Sequence, residues 1–167
     1  MRKVRGGCRG AVILEFALVG VPLILFATGV IVLGLDMWEY YTLAYGTQST
    51  ARYVAMHGRS CIQGDSSCLL SVGAVATFFS GRAMALDPTK TSLVLTSATS
   101  TISCYPVTSC TSNTTQFPSS TDNGVNFDVT VSAYYTMTNP VALIVPFAPF
   151  GPLSFHVYAT SRQRIVY

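Results

Sequence analysis

Charge is what this sequence has least of. Only a tenth of its 167 residues are Asp, Glu, Lys or Arg, whereas about a quarter is usual in a soluble domain. Histidine is nearly missing as well. His57 and His156 are the only two, and neither stands in a spacing with acids or cysteines that suggests acid–base chemistry or a metal site. There is no glycine-rich phosphate loop, no nucleophile elbow and no helical two-histidine motif. These absences read as a chain that is not an enzyme and takes no cofactor. The formal charge of +3 does not point to nucleic acid either. Arg2, Lys3, Arg5 and Arg9 lie together in the first ten residues, and the rest of the chain holds six basic against seven acidic residues. A near-neutral remainder lacks the basic footprint that a polyanion needs, so no nucleic-acid partner is expected.

Charge is missing altogether between Phe16 and Leu35. At about 1.5 Å per residue these twenty residues make a helix of roughly 30 Å, the thickness of a bilayer's hydrocarbon. Residues 11–35 are therefore read as a transmembrane helix and residues 1–10 as a basic leader. The cations upstream, against Asp36 and Glu39 downstream, put the N-terminus in the cytoplasm and residues 36–167 outside it. An ordinary secretory signal has a shorter apolar core followed by a cleavage site. A lipoprotein signal places its cysteine after the apolar run, and here Cys8 precedes it. One carboxylate, Glu15, interrupts the apolar pattern at the cytoplasmic edge. An unpaired carboxylate in apolar surroundings is costly, so Glu15 needs a partner or a place among headgroups at the helix N-terminus.

The exported part is long enough for one core. The helix is expected to run on from Asp36 to about His57, with Gly58 as its cap. Trp38, Tyr40 and Tyr41 fall where a bilayer meets water, while Tyr45 and Tyr53 read equally well as domain core. Val72, Val75, Ala76, Phe79, Ala83 and Leu86 form an apolar stripe that predicts a second helix over 71–86, ended by Asp87-Pro88. Strands are expected at 92–97, at 126–137 with Phe127, Val129, Val131, Ala133, Tyr135 and Met137 inward, and at 153–165 with Phe155, Val157 and Ala159 inward. Residues 99–124, rich in Ser, Thr, Asn and Pro, read as an exposed loop. Residues 139–152, with VALIV and four prolines, are too apolar to stand free and too proline-rich for a central strand. The resulting fold class is α+β: a long N-terminal helix, a second helix and an antiparallel sheet of three or four strands.

Beyond the span an oxidising compartment permits disulfides among Cys61, Cys68, Cys104 and Cys110. Four cysteines allow three pairings, and nearness favours Cys61 with Cys68 and Cys104 with Cys110. A zinc site from His57, Cys61 and Cys68 lacks the paired C-x-x-C spacing and is disfavoured.

The junction Gly10-Ala11-Val12-Ile13-Leu14-Glu15-Phe16 resembles the processing site of type IV pilin-like proteins. The run EFALVGVPLILF, the continuation YYTLAYGTQSTARYVAMHG, the LDP turn with its strand and the closing strand near Arg162 narrow the likeness to TadE-like minor pilins (pseudopilins) of tight-adherence pili. The resemblance implies cleavage between Gly10 and Ala11 by a prepilin peptidase, and assembly through Glu15 and Phe16. Phe16 stands where a tyrosine would mark the major Flp-type pilin, which is also far shorter. Expected partners are that peptidase, other minor pilins, the major pilin and an inner-membrane assembly platform. The expected course runs from the bacterial inner membrane, with the domain periplasmic, to an adhesive pilus outside the cell. A signal-anchored periplasmic binding domain and a type II secretion pseudopilin are the alternatives.

Overall fold

A computed structural model of the chain describes residues 9–57, 70–138 and 154–165, with side chains from Val12 onward. The leader ahead of Arg9, the expected cap Gly58, Cys61 and Cys68 with the zinc alternative they belong to, and the apolar stretch 139–152 lie outside the described residues.

One helix, α1, runs without a break over Arg9–Met56. Its 48 residues correspond to a rod of about 72 Å. Pro22 sits inside it, where membrane helices tolerate proline better than soluble ones do. The first half carries apolar side chains on every side, and Val12, Phe16, Leu23, Phe26 and Leu33 are all exposed. A helix that is apolar all round is one that a membrane or other protein covers, and this one is long and apolar enough to cross a membrane. The second half is different, because Leu43, Gly46, Thr47, Thr50, Ala51, Val54 and Ala55 are buried at a spacing of three and four. This stripe packs the second half of α1 against the domain. Its members are mostly small or hydroxylated, which is why hydrophobic periodicity does not reveal it.

Helix α2, Val72–Arg82, begins at Ser71, whose hydroxyl accepts from the Ala74 amide. The Val72 and Gly73 amides donate to the carbonyls of Thr115 and Asn113. Three of the four orphan amides of the first turn are thereby satisfied. The helix ends four residues earlier than its apolar stripe suggests. The Ala83 amide closes the last turn on Phe79 and the chain then leaves helical geometry. Ala83 and Leu86 remain buried all the same, so the stripe marks the core face correctly while overstating the helix.

Four strands form one antiparallel sheet in the order β2-β1-β3-β4. They are β1 Thr91–Thr96, β2 Thr101–Cys104, β3 Asp128–Thr138 and β4 Ser154–Arg164. Leu93 faces Ala133 across β1 and β3, and Ala133 faces Ala159 across β3 and β4. The inward faces follow the alternation: Val129, Val131, Ala133, Tyr135 and Met137 are buried. Phe127 is not inward. It precedes β3 in a turn where Asn126 has φ 73°, and it stays 37 % exposed. Phe155 is also half exposed, because β4 is an edge strand and only its Val157 and Ala159 pack on the core.

The stretch 99–124 is not simply an exposed loop. It contains β2 and a short 3₁₀ turn at Val107–Cys110, it buries Val107 and Phe117 completely, and a disulfide joins Cys104 to Cys110. Its Asp122 is 1 % exposed and accepts from the Ser97 hydroxyl and from the Thr99 amide and hydroxyl. Those donors, the Ser97 hydroxyl above all, hold its carboxyl below the ordinary aspartate value.

Candidate membrane anchor and assembly site

Gly10 lies in the first turn of α1, one residue after its start at Arg9. The Gly10–Ala11 bond therefore lies within the first described turn of α1. Glu15 and Phe16 are exposed, Phe16 to 79 %, and among the described residues no cation pairs with Glu15 within salt-bridge distance. Ala11 and Glu15 are four apart, hence on one face of the helix. The fold brings together here a backbone position and a carboxylate on a bare apolar rod, and among the described residues it supplies no counter-charge for Glu15. Among the described residues one N-terminal helix, then, is long and apolar enough to cross a membrane, and its first apolar residues are exposed.

The border between the apolar run and the domain lies at the Met137 end of β3. Val32 and Leu35 line a cavity of about 300 Å³ together with Asp36, Glu39, Lys90, Tyr135 and Met137. Val32 is only 8 % exposed, so the domain already covers one side of the apolar run before it ends. Glu39 takes up protons more readily than an ordinary glutamate, first through loss of water at this half-buried site, then through the nearby Asp36, with Lys90 opposing. Trp38, Tyr41 and Tyr45 are well exposed on the following turns. For Trp38 and Tyr41 this agrees with an interfacial belt, and it removes Tyr45 from the core; Tyr53 instead stacks on Phe78, ring centroids 4.1 Å apart.

A groove of about 810 Å³ runs between α1 and the edge strand β4, lined by Tyr40, Tyr41, Tyr45, Gln48, His156 and Tyr158 among others. His156 meets the Thr136 hydroxyl at 3.1 Å. Among the described residues no group of three His, Cys, Asp or Glu is placed to hold a metal ion. Of the four cysteines after the apolar run the structure pairs Cys104 with Cys110; the other expected pair falls outside the described residues. Sequence reasoning missed the small-residue face of α1, whose only signal was the run of Gly, Ala and Thr at three- and four-residue spacing.

No curated protein and no solved structure matches the chain. A family model does: that of the TadE-like protein fits residues 10–52, from the start of the apolar run into the second half of α1. Over that segment, about a quarter of its length, the chain is similar to the TadE-like family.

Proposed function

We propose that this chain is a structural, non-catalytic subunit of a tight-adherence pilus, a minor pilin or pseudopilin held in the bacterial inner membrane until it is assembled. The observation that carries the reading is the single helix α1, bare and apolar over its first half and packed on a sheet over its second. Such a subunit is an anchor and a building block in one piece. The family match over residues 10–52 supports the pilus setting. In this reading the leader stays in the cytoplasm and a prepilin peptidase cuts between Gly10 and Ala11. The cut removes four cations and leaves an α-amine at the membrane edge, opposite in sign to Glu15. The partner of Glu15 is the Ala11 amine of the adjacent subunit, and bringing the two together in an apolar medium favours side-by-side assembly. Phe16, fully presented to the surroundings, packs in the same contact. The other minor pilins, the major pilin and the inner-membrane platform complete the assembly, and the finished fibre serves surface adhesion.

The test is the N-terminal sequence of the protein recovered from cells. A mature chain beginning at Ala11 is expected. A chain still beginning at Met1 would leave only a tethered periplasmic domain. Glu15→Ala should leave membrane insertion unchanged and lower recovery in sheared pili by about tenfold, the equivalent of ~1.4 kcal/mol; undiminished recovery would remove the role of Glu15.

A further inference from the structure

The charges of the exported domain are sorted to its two ends. Beside the membrane lie Asp36, Glu39 and Asp87, with Lys90 as the single described cation among them. At the other end of α1 lie Arg52 and Arg82, both lining one groove of about 380 Å³ between α1 and α2. The Arg82 guanidinium sits 5.2 Å from the centre of the Phe78 ring, which in turn stacks on Tyr53, so it is held ready before any partner arrives. The described acids of the far end are already engaged, Asp128 by Arg162 and Arg164 and the buried Asp122 by Ser97 and Thr99. Among the described residues, neither Arg52 nor Arg82 has an acid within salt-bridge distance.

Glu39 and Arg52 are thirteen residues apart on one helix. That separates them by about 20 Å along the axis and by about 220° around it. An acidic patch at one end and a basic patch about 20 Å away cannot meet within one molecule. A head-to-tail contact between copies matches them, and such a heterologous contact propagates instead of closing.

We propose that the Arg52–Arg82 groove receives the Asp36–Glu39 end of a second copy of this chain, so that successive subunits are set in register along the fibre by charge. The proposal rests on the pilin reading above and adds a contact in the exported domain that is separate from the one at Glu15. The contact selects and orients neighbours more than it binds them, since partly exposed ion pairs contribute little affinity each.

The test uses the full-length protein in the cell that makes it. Arg52→Glu with Arg82→Glu, and separately Asp36→Lys with Glu39→Lys, should each lower recovery in sheared fibres by about tenfold. All four reversals in one chain should restore recovery to within about threefold of the unaltered protein, because a second copy then carries the inverted partner. Unreduced recovery in either double variant, or no rescue in the fourfold variant, would overturn the contact between copies. Glu39→Cys with Arg52→Cys should give covalent multimers beyond the dimer on oxidation, where each single variant gives none; an absence of multimers counts equally against it. The milder Arg52→Gln with Arg82→Gln, checked for the Cys104–Cys110 disulfide and resistance to trypsin, should still lower recovery, and if it does not the charge argument fails. The N-terminus is sequenced in the same cells. Ala11 at the start with charge-insensitive assembly overturns this contact alone, whereas Met1 at the start overturns the pilin reading and this contact with it.

Discussion

Thr50 is completely buried on the inner face of α1, and its hydroxyl oxygen has no hydrogen-bond partner. A buried polar atom left unpaired costs roughly 1–3 kcal/mol. Thr50→Val keeps the shape and removes the atom, so it should raise stability by about 1 kcal/mol in urea unfolding of the detergent-solubilised chain; a loss of stability would mean that the hydroxyl is satisfied. Gly46 and Gly73 show the opposite constraint. A Cβ on Gly46 would lie 3.3 Å from that of Ala83, and one on Gly73 would lie 2.5 Å from the Thr111 carbonyl oxygen. Gly46→Leu should therefore wedge α1 from α2 and destabilise the domain by about 1–3 kcal/mol, measured in the same unfolding experiment. Asp122 gives a pH dependence. Its folded carboxyl titrates lower than an ordinary aspartate because Ser97 and Thr99 donate to it. The unfolded state then binds the proton first, so the stability it contributes is complete above about pH 4 and drains away as pH falls through the lower folded value. Asp122→Asn should flatten that acid limb.

Among elements, β2 and the stretch after it hold the surprise. Four residues of alternation inside a Ser- and Thr-rich run are too few to stand out from a loop, and what makes them a strand is their pairing with β1, Leu93 opposite Cys104 and Leu95 opposite Ile102. The disulfide from Cys104 to Cys110 fastens the end of that strand to the 3₁₀ turn. Replacing both cysteines by Ser should cost about 2 kcal/mol of unfolding free energy, by analogy with other short disulfide loops, and circular dichroism at rising temperature would read it. The β3–β4 pairing, eleven residues on each side from Asp128–Arg164 to Thr138–Ser154, is the most extensive in the sheet. It was legible because period two over that length is hard to produce otherwise. β4 leaves one edge without a neighbour in the described fold, and its exposed side chains between Ser154 and Thr160 carry none of the charge that usually guards such an edge.

At the scale of the molecule, the anchor and the domain share a helix, so force on one is transmitted to the other without a flexible joint. Washing membranes with alkaline carbonate should leave the full-length chain in the pellet, and only detergent should release it, as for any spanning helix. Recovery in the carbonate supernatant would contradict the span.

Amino-acid order alone was enough for the long apolar helix, the α+β class, and most of the inward faces of β3 and α2, because each is a one-dimensional pattern: a length without charge, or a repeat of two or of three and four. The solitary Glu15 is legible for the same reason, as chemistry that breaks a uniform background. Three-dimensional packing was needed to show where the domain seats on α1, that 99–124 is built into the fold around Phe117 and Asp122, and that opposite charges collect at opposite ends. Those features depend on residues far apart in sequence meeting through small side chains and hydrogen bonds, and neither leaves a periodic trace in the chain.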